Sequence, residues 1–265
     1  HRVPRRGGGR AMKRRSFLRL AGLSLAGAVP AARALAGAPR MEPAPAALRG
    51  KRWAMVVDQR KCNAKPGCQA CIEACHRAHN VPAVPDPRHE IKWVWKEPYG
   101  QVFPERVTPY LPAEVKQRPT MVLCNHCDNP PCVRVCPTEA TWRRPDGIVM
   151  MDEHRCIGCR YCITGCPYGA RSFNFQDPRP HLRGEPTDYP TRTKGVVEKC
   201  TFCSERLAEG LPPACVEACR AAGVGALTFG DAADPGSAVS ALLRTRDLAR
   251  RKPSLGTAPH AFYVL

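Results

Sequence analysis

Sixteen cysteines in 265 residues constrain this chain more than any other feature, because they fall into four groups of four with none left over. The groups are Cys62, Cys68, Cys71 and Cys75, then Cys124, Cys127, Cys132 and Cys136, then Cys156, Cys159, Cys162 and Cys166, and finally Cys200, Cys203, Cys215 and Cys219. Composition agrees with a chain organised around such groups. Proline supplies 28 residues, roughly twice its usual share of about 5%, and aromatics only 6%. That describes a loop-rich protein held by something other than a large aromatic core. The glycines have no triplet period, which excludes a collagen-like coil. No uninterrupted apolar run of about 20 residues exists, which excludes a multi-span membrane protein.

Spacing decides what the cysteines hold. The third group reads C-x2-C-x2-C-x3-C and is followed by Pro167, the run by which bacterial ferredoxins bind 4Fe–4S clusters. Cysteines two residues apart curl a short loop around one cubane, so that three thiolates reach three irons. The fourth points away to ligate the neighbouring cluster, and the proline favours a helix start there. The second group follows the same logic, ending at Pro137, with Asp128-Asn129-Pro130-Pro131 filling a longer gap. Disulfides and zinc are the competing readings. Disulfide scaffolds do not need four quartets at ferredoxin spacing, and zinc sites usually take two ligands from each of two knuckles. Covalent c-type haem is excluded, because Cys71-Ile72-Glu73-Ala74-Cys75-His76 has one residue too many for C-x-x-C-H.

The net charge of +18 would by itself suggest nucleic acid or an anionic surface. Nine of the basic residues lie in residues 1–36, which hold no acid, so the remainder carries +9. Four clusters of about −2 each would nearly neutralise it, which removes the argument for nucleic acid.

The N-terminus reads as an address. Met12 is the expected start. Lys13-Arg14-Arg15-Ser16-Phe17-Leu18-Arg19 opens a weakly apolar stretch ending in the A-x-A pattern Ala34-Leu35-Ala36. A basic, an apolar and a small-residue region make a signal peptide, and the arginine pair matches the twin-arginine route. Export of a folded, cofactor-loaded protein to the outer face of the inner membrane is the expectation, with residues 37–50 as an Ala/Pro linker.

Farther on, Trp53-Ala54-Met55-Val56-Val57 and Ala261-Phe262-Tyr263-Val264-Leu265 read as strands that pair and tie the ends together. Ile148-Val149-Met150-Met151 reads as a hairpin strand. Short helices are expected over 198–210 and 213–222, and an amphipathic helix over 237–251 with Val239, Leu242, Leu243 and Leu248 inward. The fold class expected is α+β, with duplicated two-cluster 4Fe–4S ferredoxin folds and loop-rich insertions. The outer unit comprises residues 51–81 with 194–230, and the inner unit 120–175. Residues 82–119, with Trp93, Trp95, Tyr99, Phe103 and Tyr110, form an insertion read as a packed lobe over a cluster or as a docking surface. Residues 176–193 read as a loop, and 231–265 as the C-terminal helix and strand. His79, His126 and His154 lie near cysteines and are expected to pack or hydrogen-bond rather than ligate.

Taken together, the quartets resemble the four-cluster electron-transfer subunits that partner molybdopterin oxidoreductases and quinone-linked membrane proteins. Three stretches are similar to one branch, the exported iron–sulfur subunits of DsrMKJOP-type membrane complexes of dissimilatory sulfur metabolism. They are His89-Glu90-Ile91-Lys92-Trp93-Val94-Trp95-Lys96-Glu97-Pro98-Tyr99, Cys124-Asn125-His126-Cys127-Asp128-Asn129-Pro130-Pro131-Cys132, and Arg251-Lys252-Pro253 before Leu255-Gly256-Thr257. The resemblance covers about residues 50–265. It implies four 4Fe–4S clusters. Cys62, Cys68, Cys71 and Cys219 would hold the first, and Cys75, Cys200, Cys203 and Cys215 its neighbour. Cys124, Cys127, Cys132 and Cys166 would hold the third, and Cys136, Cys156, Cys159 and Cys162 the fourth. The outer groups depart from plain ferredoxin spacing: five residues separate Cys62 from Cys68, and His76 and Arg220 stand where proline is usual.

The sequence shows no nucleophile–base set and no phosphate-binding glycine loop, so the expected role is electron relay without a catalytic site or a small-molecule substrate. The implied partners are an integral membrane quinone-interacting subunit, a multihaem c-type cytochrome and the other subunits of the complex. The rival readings are the iron–sulfur subunit of a periplasmic molybdopterin reductase, for polysulfide or tetrathionate, and a zinc-bound scaffold.

Overall fold

A computed structural model describes residues 47–184 and 187–265. The expected signal peptide, and most of the expected linker, lie outside them. Along the chain run β1 (Trp53–Asp58), α1 (Gln59–Asn63), α2 (Ala70–Ala78), β2 (Val94–Pro98), α3 (Tyr99–Val102), α4 (Ala113–Lys116), β3 (Pro119–Leu123), α5 (Pro131–Arg134), β4 (Thr141–Arg143) and β5 (Val149–Met151). There follow α6 (Tyr161–Thr164), β6 (Ser172–Phe173), β7 (Val197–Glu198), α7 (Ser204–Ala208), α8 (Ala214–Ala221), β8 (Leu227–Asp231), α9 (Ala238–Thr245) and β9 (Ala261–Val264). Short helices and small sheets mix, as an α+β class requires. Among the described residues no helix is long and apolar enough to cross a membrane.

The largest sheet has the order β8-β1-β9. β1 pairs antiparallel with β8, Met55 opposite Phe229, and parallel with β9, Val57 opposite Tyr263. The two terminal strands therefore pair as their apolar runs predict. Alternation sorts β1 between two cores: Trp53, Met55 and Val57 join the main core, while Ala54 and Val56 meet Val239, Phe262 and Val264. Asp58 ends the strand and caps α1 by accepting from Arg60 N at 3.1 Å and Lys61 N at 3.2 Å.

Two expectations are corrected. The helix over 237–251 stops at Thr245, because the chain turns extended at Arg246 and bridges Ala249 to Tyr263. Ser237 caps its start, and Leu242, Leu243 and Leu248 are partly rather than fully buried. The stretch 198–210 is not one helix. Val197–Glu198 is a strand paired with β6, and left-handed backbone at Phe202 and Cys203 separates it from α7. The insertion 82–119 packs into the main core. β2 pairs antiparallel with β3, and Trp93, Val94, Trp95 and Phe103 are buried in the main core. Only Tyr110 of its aromatics projects freely, at 93% exposure. Among the described residues between 176 and 193, the one helical element is a 3-10 turn at Arg179–His181, and there is no strand.

Candidate iron–sulfur centres

Short elements present the cysteines. Cys62 lies on α1, Cys71 and Cys75 on α2, and Cys215 and Cys219 on α8, and α2 packs against α8. Cys132 lies on α5 and Cys162 on α6, which also pack together. The cysteine loops curl tightly. Four non-glycine residues with positive φ sit inside them: His126 at 42°, Arg160 at 62°, Phe202 at 53° and Cys203 at 52°. Left-handed backbone costs energy and persists where surroundings enforce it.

The structure brings the thiols into groups. Burial, then Cys62, Cys219 and Cys68, push the Cys71 thiol up to about 12. Burial, then Cys200, Cys203 and Cys215, hold Cys75 well above its ordinary value. Burial, then Cys124, Cys132 and Cys166 against the Thr257 hydroxyl, push Cys127 up to about 12. Cys124, Cys127, Cys132 and Cys166 also line one cavity, with Asn125, His126, Tyr168 and Arg171. Cys136 and Cys156 pack on the small core that holds Cys132 and Cys162. Burial raises Cys136, but N–H groups of Thr141, Thr138 and Ala140 and the Thr138 hydroxyl outweigh it and hold this thiol low. Cys159 stands exposed on the loop between Cys156 and Cys162. The groups also neighbour one another: α2 carries both Cys71 and Cys75, His126 between Cys124 and Cys127 stacks on Phe202 between Cys200 and Cys203, and α5 with Cys132 packs on α6 with Cys162.

These donor sets fit polynuclear iron. All sixteen cysteines are free thiols. Among the described residues, one trio of His, Cys, Asp or Glu side chains has its ligand atoms within 4.8 Å of one another, namely His79, Cys203 and Glu205. The cysteine quartets are spread more widely than the roughly 3.8 Å sulfur–sulfur edge of a zinc tetrathiolate with Zn–S bonds of about 2.3 Å. Burial that raises thiols requires a cation to draw them to thiolate. N–H donors already address several sulfurs: Arg171 Nη2 to Cys132 at 3.2 Å, Ala226 N to Cys219 at 3.3 Å and Phe202 N to Cys200 at 3.4 Å.

Two of the three histidines, His79 and His126, are buried packing groups, as expected. His79 bonds through Nδ1 with the Cys75 carbonyl at 2.8 Å and through Nε2 with Glu205 at 2.8 Å, and stacks on Trp93. His126 accepts from Val149 N at 3.0 Å and stacks on Phe202 with centroids 3.7 Å apart. His154 is exposed.

Several residues at these centres carry no sequence signal. Glu198 is fully buried, accepting from Trp93 Nε1 at 3.0 Å and Asn174 Nδ2 at 2.5 Å, with Arg192 Nε 2.8 Å away. Arg171 and Lys199 are buried beside cysteines. Their proximity depends on contacts across tens of residues, which no local spacing encodes.

Fold and thiol geometry thus define an iron–sulfur protein of the multi-cluster, electron-carrying class. The model of the 4Fe-4S dicluster domain matches in two stretches, residues 117–179 and 184–232. The chain is 43% identical to the "Hdr-like menaquinol oxidoreductase iron-sulfur subunit 1" of Archaeoglobus fulgidus, over 96% of this chain and 98% of that protein. It is 40% identical to a subunit of the tetrathionate reductase of Salmonella typhimurium, over 80% and 72% of the two chains. It is 38% identical to the menaquinone reductase iron–sulfur cluster-binding subunit of Nitratidesulfovibrio vulgaris, over 80% and 88%. The chain belongs to this family of iron–sulfur electron-transfer subunits of oxidoreductase complexes.

Proposed function

We propose that this chain is the exported, DsrO-like iron–sulfur subunit of a membrane-bound respiratory complex of the DsrMKJOP type, working in dissimilatory sulfur metabolism. The observation that carries the reading is the set of four neighbouring thiol groups. The similarity to a menaquinol oxidoreductase subunit over nearly the whole of both chains favours a quinone-linked complex. Cys62, Cys68, Cys71 and Cys219 are assigned to one 4Fe–4S cluster, and Cys75, Cys200, Cys203 and Cys215 to a second. Cys124, Cys127, Cys132 and Cys166 are assigned to a third, and Cys136, Cys156, Cys159 and Cys162 to a fourth, on two duplicated ferredoxin units. Each cluster, when bound, supplies one-electron redox chemistry. The chain's own residues hold the thiolates, exclude water from buried thiols such as Cys75, Cys200, Cys203 and Cys215, and fix the polar groups around the sulfurs.

The proposed partners are an integral membrane quinone-reactive subunit and a multihaem c-type cytochrome, met on the outer face of the inner membrane after twin-arginine export. A second reading, the iron–sulfur subunit of a molybdopterin reductase, is favoured by the likeness to the tetrathionate reductase chain. Affinity purification from native membranes with mass spectrometry separates them. A quinone-linked membrane protein and a multihaem cytochrome, without a molybdopterin subunit, are expected. A molybdopterin subunit at equal stoichiometry would overturn the first reading in favour of the second.

A further inference from the structure

Among the described residues, four basic side chains are buried to 4% exposure or less: Arg171, Arg192, Lys199 and Arg251. Two of them have a carboxylate. Arg192 lies 2.8 Å from Glu198, and Arg251 lies 3.9 Å from Glu97. Among the described residues, Arg171 and Lys199 are within ion-pair distance of none. A buried charge without a counter-charge is strongly disfavoured, so these two cations need an anion that the protein's carboxylates do not provide.

Their surroundings name it. Arg171 Nη2 donates to Cys132 Sγ at 3.2 Å and to Thr141 Oγ1 at 2.7 Å, and Nη1 reaches Met151 Sδ at 3.7 Å. Its charged neighbours are Cys132, Cys162 and Cys124. It therefore stands between the group of Cys124, Cys127, Cys132 and Cys166 and the group of Cys136, Cys156, Cys159 and Cys162. Lys199 Nζ donates only to the carbonyls of Val149 and Cys200. Lys199 directly precedes Cys200, and Val149, whose carbonyl it reaches, donates its N–H at 3.0 Å to Nδ1 of His126, which lies between Cys124 and Cys127. It therefore stands where the group of Cys75, Cys200, Cys203 and Cys215 faces that of Cys124. The group of Cys124, Cys127, Cys132 and Cys166 is flanked by both cations. The group of Cys75 instead faces Glu205, whose charge is felt by Cys200 and Cys203.

We propose that Arg171 and Lys199 are positioning cations that set reduction potentials, Arg171 for both inner clusters and Lys199 for the junction between inner and outer units. The cluster on Cys124, Cys127, Cys132 and Cys166 is then raised by both. A fixed positive charge stabilises the more negative, reduced state, so removing it lowers the midpoint. The inference rests on the four-cluster reading.

The test is a redox titration of the purified holoprotein followed by electron paramagnetic resonance, with iron and sulfide counted in each sample. In Arg171→Gln two midpoints fall and two stay. In Lys199→Gln one of the same two falls again, together with the midpoint of the cluster on Cys75, Cys200, Cys203 and Cys215, whose ligand Cys200 is its neighbour. The expected shift is at least tenfold in the reduction equilibrium, about 59 mV for one electron. Fully loaded variants with all four midpoints unchanged, or shifted upward, overturn the proposal. Should Arg171→Gln lose iron, Arg171→Lys and Lys199→Gln decide: a loaded Lys199→Gln protein with unmoved midpoints overturns it, and Arg171→Lys must keep the parent midpoints. A parent protein lacking sixteen irons and four signals would instead sink the four-cluster reading, whatever the variants do.

Discussion

Glu198 offers the sharpest test of how the strand before Cys200 is held to the core. Its carboxylate, 0% exposed, accepts from Trp93 Nε1 and Asn174 Nδ2 and pairs with Arg192, itself 3% exposed. Four distant segments meet on this one side chain, two residues before Cys200. Replacing it by leucine leaves a buried guanidinium without its counter-ion, which costs about 3–5 kcal/mol. Arg192 keeps three carbonyl acceptors, His79 at 2.5 Å, Pro190 at 2.8 Å and Asn80 at 2.8 Å. That places the expected loss toward the lower end, about 3 kcal/mol, or on the order of a hundredfold in the folded-to-unfolded ratio. The two orphaned donors belong to the same network, so their cost is not added separately. The assay is anaerobic urea unfolding of the loaded protein, read by circular dichroism and by absorbance near 400 nm. It is run on Glu198→Leu, Arg192→Leu and the double variant. The double variant should be less destabilised than the sum of the singles, by about 2 kcal/mol or more. A coupling below about 0.5 kcal/mol, or a Glu198→Leu protein as stable as the parent, would refute the reasoning.

Other outcomes follow from single contacts. Gly158 has φ +71°, and a Cβ there would sit 2.5 Å from the Gly195 carbonyl oxygen. Gly158→Ala should cost about 1–3 kcal/mol in backbone strain alone and lower iron content by displacing the Cys156–Cys159 loop; unchanged iron refutes it. Tyr263 is fully buried with no hydrogen-bond partner among the described residues, and burial, with Glu97 adding and Arg251 opposing, pushes its phenol up to about 12. Because the folded protein holds this proton above the ordinary value of about 10, the contribution is intact below pH 10 and is lost as pH rises toward 12, by about 1.4 kcal/mol per unit. Tyr263→Phe should be as stable as the parent at pH 7 and lose stability less steeply from pH 10 to 12 in denaturation series. Stripping iron with a chelator should lower the thermal midpoint and expose thiols to a thiol reagent, since buried Cys75, Cys200 and Cys215 then return to neutral thiols around empty space; an apo-protein melting with the parent would contradict this.

The sequence by itself determined what this chain binds around. Cysteine chemistry acts through neighbours two or three positions apart, so a loop such as 156–166 declares its ligand type within its own residues. The terminal strands were legible for the same reason, since an apolar run ended by Asp58 is local information. The helix over 237–251 and the stretch 198–210 were read too long, because their ends are set by β9 and by the left-handed turn at Phe202 and Cys203. The sequence of the insertion 82–119 leaves open whether its tryptophans pack inward or face a partner, because an aromatic run looks the same in either case; the structure buries Trp93 and Trp95 in the main core. Only the tertiary structure decided which thiols share a neighbourhood, in what order the groups stand, and where the buried charges fall. Arg171 meets Cys132 across 39 residues, and Lys199 reaches Val149 across 50. Such pairings arise from the packing of distant segments in a low-dielectric interior, where one uncompensated charge outweighs any local preference.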